Sequence, residues 1–129
     1  MALSAHDVNI LRALAGPLAE IAALPIQRER AALWRRINDL RPAKPAIWIN
    51  EIPWHEMNVD DELTLRCEAP LARAHEERMR QTLYQWRHLP GDMVIEPEWP
   101  SPLVVRDTGF GITEDVDIVK TDDANVIYS

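Results

Sequence analysis

Ten prolines against four glycines constrain this chain of 129 residues more than any other feature of its sequence. Proline fixes its own φ angle, lacks an amide hydrogen and restricts the residue before it, so it ends helices and strands at defined points. Regular elements must therefore fit between the prolines, joined by ordered rather than flexible connections. Five tryptophans add a second requirement, because rings of that size need a core or a pocket to bury them.

The first third of the chain has the pattern of two amphipathic helices. Ser4 followed by Asp7 is a variant of the capping box, and apolar residues then recur at three- and four-residue spacing. Pro17 interrupts this stripe and predicts a kink or a break, because its ring clashes with the carbonyl four residues earlier. After Pro25, the spacing predicts a second helix over residues 26–40.

Two short apolar runs predict strands that are buried on both faces. Both runs, residues 46–49 and 93–95, are bounded by prolines. A longer helix, expected to start after Pro70 and to run to about His88, separates them, and a helix between two such strands is the sequence form of a βαβ unit. Weaker strand signals lie at residues 103–106, 116–119 and 126–128.

These elements predict an α/β chain, with a helical N-terminal extension over residues 1–44 and a βα portion over residues 45–129. Two parallel strands cannot complete a sheet that is covered on both faces. The chain also stops at the letters VIYS, within an apparent strand. We therefore expect these residues to be the opening of a larger domain that has been cut.

The charge distribution argues against some partners. Residues 1–48 carry seven Lys and Arg against four Asp and Glu, a balance of +3, and the remaining residues carry −10, which together give the net charge of −7. An acidic main body repels phosphate, which argues against nucleic-acid binding. No apolar run is long enough for a membrane span, no secretory signal is visible, and Cys67 is the single cysteine. We therefore expect a cytoplasmic location.

The richest candidate site follows the first apolar run. Glu51, Trp54 and His55 lie in the loop after it, where a βα architecture forms its sites, and we predict that they bind substrate. Glu96 and Glu98 follow the second run, and carboxylates at a strand end are candidate acid–base catalysts. No metal site is predicted, because the loop has no second histidine or cysteine at ligand spacing.

Three further patterns favour a structural interpretation. Asp60 or Asp61 is expected to cap a short helix through Leu65. The string TGFG at residues 108–111 is too short to cradle a phosphate and predicts a turn. Cys67 lies between charged residues on a predicted helix and is expected to be a buried structural cysteine.

Two stretches resemble the early part of the uroporphyrinogen decarboxylase superfamily. They are KPAIWINEIPWHEMNVDDE and, from Leu65 to Pro97, LRCEAPLARAHEERMRQTLYQWRHLPGDMVIEP. The strings EIPWHEMNVDDELTL and TGFGI are most similar to the decarboxylase-like branch, which is associated with corrinoid-dependent methyl transfer. The resemblance extends over most of the chain, from about Ile10 to Val119.

The resemblance implies a fold and a chemistry. The fold is a (β/α)8 barrel of about 250 residues or more, of which this chain supplies a helical extension and the first βα units. For the full-length parent, it implies a zinc ion held by His and Cys ligands from later strands, and a corrinoid protein as partner. No cofactor is expected in this chain, which we expect to be inactive alone.

The sequence departs from the true decarboxylases after the first predicted strand. Those enzymes have an Arg-rich loop there that binds porphyrin carboxylates, whereas this chain has Glu51, which repels them. Glu98 aligns with a family aspartate, with Glu96 two residues earlier, so the resemblance implies a substrate-pocket carboxylate. Two alternatives stay open: a free-standing, non-catalytic module for protein binding or dimerisation, and a small enzyme whose site is completed across a homodimer.

Overall fold

The computed structural model describes residues 3–101, 105 and 107–111. The chain divides into two units, Met1–Trp99 and Pro100–Ser129. Within the described part of the first unit are three α-helices: α1 (Ala5–Ala22), α2 (Pro25–Asn38) and α3 (Pro70–His88). A short 3₁₀ helix, Trp54–Glu56, lies between α2 and α3.

The three helices begin where the sequence predicts. The Ser4 hydroxyl caps α1 by accepting a hydrogen bond from the amide of Asp7 at 3.1 Å. Proline occupies the start of α2 and of α3, where the missing amide hydrogen costs nothing. The predicted break at Pro17 is wrong, because α1 continues through it. Pro17 has no amide hydrogen to donate to the carbonyl of Ala13. Both residues are exposed, so water can bond to that carbonyl.

The core lies between α1 and α3. Its buried side chains come from α1, from α3 and from the segment that follows α3: Leu18, Met79, Leu83, Met93 and Ile95. Trp86 and Trp99 pack against this cluster and are half-buried. Because α1 packs on α3, the helical extension and the later helix share one core. The division of the chain at residue 44 stays a prediction about domains.

The two predicted strands are wrong. Residues 46–49 and 93–95 are neither helix nor strand, and the part of the chain that the structure describes contains no strand. Their backbone groups bond largely to side chains. Gln85 donates to the carbonyl of Ile49 at 2.7 Å, and Gln27 accepts from the amide of Ile95 at 2.8 Å.

The α/β prediction therefore fails, and with it the incomplete (β/α)8 barrel. The burial predicted for the first run is wrong as well, because Ile47 and Trp48 are 60% and 55% exposed. In the second run Met93 and Ile95 are buried, yet no strand satisfies their backbone groups. Here polar side chains of the helices do so instead, with Arg30 donating to the carbonyl of Met93 at 3.0 Å and Trp34 to that of Asp92 at 2.8 Å. The described residues form a helical fold with extended connections, not βα units.

The second unit, Pro100–Ser129, is described only in part. A 3₁₀ turn spans Gly109–Gly111, with the amide of Gly109 bonded to Asp107 Oδ1 at 2.8 Å, so the predicted turn is confirmed. The strand signals at 116–119 and 126–128 lie outside the described residues, as do all of 103–106 except Val105, which is not in a strand.

In the described residues, no helix alone has the length and apolar character of a membrane span. Helices α1 and α2 reach that length and composition only as a pair, bent by 66°. The cytoplasmic location stays a prediction.

Candidate functional site

An open pocket of about 730 Å³ lies between the segment 52–65 and one face of α3. Its volume is in the range of small-molecule sites. Apolar side chains and several polar groups form its wall: Ile52, Pro53, Trp54, His55, Asn58, Leu63, Leu65, Glu77 and Gln81. Seven of these residues come from the string EIPWHEMNVDDELTL that carries the family resemblance.

The loop that forms one wall is held by its own side chains. Asn58 accepts from the amide of Leu63 at 3.1 Å and donates to Thr64 Oγ1 at 2.9 Å. The Thr64 hydroxyl in turn donates to Asp61 Oδ1 at 2.9 Å. The predicted short helix through Leu65 is wrong, because no residue from 60 to 65 is helical and residues 60–63 form bends and a turn, with a φ of 59° at Asp61. The result is a fixed turn.

Trp54 is fixed by aromatic packing against α3. Its ring meets Tyr84 edge to face, with centroids 6.0 Å apart. The Tyr84 hydroxyl points at Met57 Sδ at 3.8 Å, and the Tyr84 ring lies 4.4 Å from that of His88. These contacts orient the half-buried indole where it lines the pocket.

Helix α3 contributes a polar edge to the pocket. Glu77 and Gln81 are four residues apart and therefore lie on the same face of the helix. Glu77 is exposed, and its carboxylate forms no hydrogen bond or ion pair with the residues that the structure describes. Neither residue was predicted as part of a site, because a spacing of four on a polar helix face is equally typical of a face exposed to solvent.

The five predicted site residues do not come together in one pocket. Trp54 and His55 line it, and His55 Nε2 lies 3.4 Å from Glu56 Oε1. Glu51 is exposed and is not part of the pocket wall. Glu96 and Glu98 are exposed on the segment after the core residue Ile95, also outside that wall. The roles assigned to all five stay predictions.

A second polar cluster joins the loop to the end of α3. Glu62 accepts from Arg87 at 2.6 Å, and His88 Nε2 lies 2.8 Å from its other oxygen. The hydrogen bond with His88, followed by the charges of His88 and Arg87, holds the pKa of Glu62 below its usual range. Sequence analysis did not pair these residues, because they lie about 25 positions apart.

The buried Glu76 carboxylate holds the segment before α3. It accepts from the amides of Arg66 at 2.9 Å and Cys67 at 2.7 Å, and from Arg80 Nε at 2.8 Å. Burial alone raises the pKa of Glu76, but these hydrogen bonds outweigh burial and hold it below the usual range. Glu76 is therefore a structural anion.

Asp7 holds the next two amides of the same segment. It is buried, and its two oxygens accept from Glu68 N–H at 2.8 Å and Ala69 N–H at 3.1 Å. The bond from Glu68 is the main cause that keeps the pKa of Asp7 below its ordinary value. Because Ala69 is the N-cap of α3, an α1 side chain satisfies the backbone amide at the start of this helix.

The described residues offer no ligand set of their own for the zinc ion that the resemblance implies in the full-length parent, where the ligands are expected from later strands. Burial, followed by the carboxylates of Glu76 and Asp7, raises the pKa of Cys67 to about 12, so the thiol is protonated at neutral pH. No group of three or more His, Cys, Asp or Glu side chains in the described ranges has a metal-binding arrangement. Cys67 is buried, as predicted for a structural cysteine.

Comparison with known proteins adds no further constraint. No family model, curated protein or solved structure matches this chain. The candidate site is therefore described from the structure alone. Its wall combines apolar side chains, the ring of Trp54, and the polar side chains of Gln81 and the exposed Glu77.

Proposed function

We propose that this chain supplies a substrate-binding wall to a uroporphyrinogen decarboxylase-like protein that carries out corrinoid-linked methyl transfer, and that it is inactive alone. One observation carries the proposal. The string that resembles the family, residues 51–65, forms most of the pocket wall instead of filling the core. Segments with that role are where binding and catalytic residues concentrate.

The chemistry of the pocket supports binding rather than catalysis by this chain. The strongly bonded carboxylates, Asp7 and Glu76, are occupied by backbone amides and do not line the pocket. Trp54 and the leucines of the wall offer apolar contact, and Glu77 and Gln81 offer hydrogen-bond acceptors. In a larger protein, these residues would contribute a helical subdomain that binds substrate. The zinc and the corrinoid that the resemblance implies would be held outside the residues described here and would supply the methyl-transfer chemistry.

The test begins with the reading frame downstream of the Ser129 codon. The protein it encodes is assayed for demethylation of methylated amines, ethers and thiols with reduced corrinoid as acceptor. Trp54→Leu is expected to lower kcat/KM about tenfold, the usual effect of losing roughly 1.4 kcal/mol of binding. Val59→Ala is the control, because Val59 is 83% exposed in the same loop and does not line the pocket. Absence of methyl transfer from every donor contradicts the proposal.

A second candidate function is a protein-binding or dimerisation module. It is favoured by exposed apolar side chains in the connection that follows α2: Leu40 is 93% exposed, Ile47 60% and Trp48 55%. Exposed apolar groups of this size mark interaction surfaces when they cluster. Light scattering at increasing concentration tests dimerisation, and Trp48→Ser is expected to abolish any dimer. A monomer at every concentration, with no partner requirement for activity, contradicts this candidate.

A further inference from the structure

We propose that the pocket between residues 52–65 and α3 binds an organic cation, a substituted ammonium group attached to a small apolar body. The inference rests on the proposed function only in taking this pocket as the substrate site. Binding itself is a property of the chain described here.

The wall offers two surfaces that suit such a ligand. Ile52, Leu63 and Leu65 form an apolar part, which favours alkyl groups. Trp54 adds an aromatic ring, which packs nearly perpendicular to the Tyr84 ring at a centroid distance of 6.0 Å. A fixed indole is the strongest aromatic partner for an ammonium group.

The charges around the pocket select a cation. Among the described residues of the wall, Glu77 is the only Asp, Glu, Lys or Arg. Its carboxylate is exposed and is not paired with any described residue. Residues 49–62, which include half of the wall, contain five carboxylates and no Lys or Arg. An anionic ligand is therefore repelled, and a cation is attracted.

Two guanidinium groups of α3 are already engaged. Arg80 is bonded to the buried Glu76 carboxylate at 2.8 Å, and Arg87 is bonded to Glu62 at 2.6 Å. Neither residue lines the pocket. Glu77 can therefore act as the counter-ion of a cationic ligand, because it lines the same pocket as the Trp54 ring.

The experiment compares two ligands of nearly equal shape on the isolated chain. Choline is the cationic probe, and 3,3-dimethyl-1-butanol is its neutral isostere. Binding is followed by calorimetry and by the indole N–H resonance of Trp54 in two-dimensional NMR. Choline is expected to bind about tenfold more tightly than the alcohol, from the cation–aromatic and carboxylate contributions together. Its affinity is also expected to fall as salt is added.

Two substitutions and one control separate the contributions of the carboxylate and of the aromatic ring to choline binding. Glu77→Gln is expected to weaken choline binding about threefold and to leave the alcohol unchanged. Glu29→Gln, at an exposed position on α2, makes the same change in net charge away from the pocket and is expected to change neither ligand. Trp54→Leu is expected to reduce the preference for choline while keeping the apolar contact.

The outcomes distinguish this inference from the proposed function. Equal affinity for the two probes, tighter binding of the anionic isostere 3,3-dimethylbutanoate, or no saturable choline binding overturns the cation site. The methyl-transfer proposal survives those results if a neutral methyl donor is turned over. Conversely, choline selectivity that depends on Glu77, together with no methyl transfer, supports the cation site and refutes the proposed function.

Discussion

Substitution of Glu76 by Gln tests whether a single buried carboxylate holds the segment before α3. Glu76 is fully buried and accepts hydrogen bonds from two backbone amides and from Arg80. The Gln amide nitrogen is a donor, so it faces another donor at one of these positions. Arg80, itself only 12% exposed, also loses its counter-charge.

The expected loss in free energy of unfolding is about 3 kcal/mol. Leaving a buried hydrogen-bonding group unsatisfied costs roughly 1–3 kcal/mol, and breaking a buried ion pair by removing one partner costs roughly 3–5 kcal/mol. Urea unfolding at pH 7, followed by circular dichroism, measures the change. Glu77→Gln is the matched control, since the neighbouring carboxylate is exposed and its loss is expected to change stability by less than about 0.5 kcal/mol. A Glu76→Gln protein within about 1 kcal/mol of wild type refutes the reasoning.

Three more predictions concern stability. The folded-state pKa values of Asp7 and Glu76 are lowered; their stabilisation is therefore complete above the unfolded values, near about pH 4, and is lost as the pH falls through the folded ones. The urea concentration at the midpoint of unfolding is expected to decrease as the pH is lowered below about 5. In the Asp7→Asn variant this decrease is expected to be smaller, and a pH profile identical to that of the wild type contradicts the prediction. Leu83→Ala truncates a core side chain that is 3% exposed, and it is expected to lower the free energy of unfolding by about 2–5 kcal/mol in the same urea assay. A loss below about 1 kcal/mol contradicts a core position for Leu83. Gly91→Ala is expected to lower the thermal midpoint, because Gly91 has a φ of 48° and a Cβ there lies 2.8 Å from the carbonyl oxygen of Ile47; an unchanged midpoint refutes that close approach.

The helices could be predicted because their signals are local. Apolar spacing and proline at the first turn fixed α2 and α3 to within about two residues of their observed bounds. The strands could not, since a short apolar run shows neither its burial nor the partners of its backbone: Ile47 and Trp48 are exposed, whereas Ile95 is buried and bonded to a side chain. Gln27 and Arg30 lie more than 60 positions from the groups they bond, so no local pattern shows the pairing.

The candidate site was found in part for the same reason. Trp54 and His55 stand out within a dense polar and aromatic loop, and both line the pocket. Glu77 and Gln81 lie on a helix face that resembles an ordinary solvent-facing one, so only the fold shows that the loop covers them. Glu96 was predicted from the position of a strand end, and the described structure has no strand there.

Side chains of α2 hold the segment after α3, so detachment of α2 releases that segment. Gln27, Arg30 and Trp34 recur at spacings of three and four, so one helix face holds successive backbone groups from Asp92 to Ile95. A one-residue insertion within α2 rotates that face and releases all three bonds together. The Ile95 amide, whose partner is Gln27, is therefore a natural probe of α2 detachment, and its hydrogen-exchange rate reports the free energy of that local unfolding event.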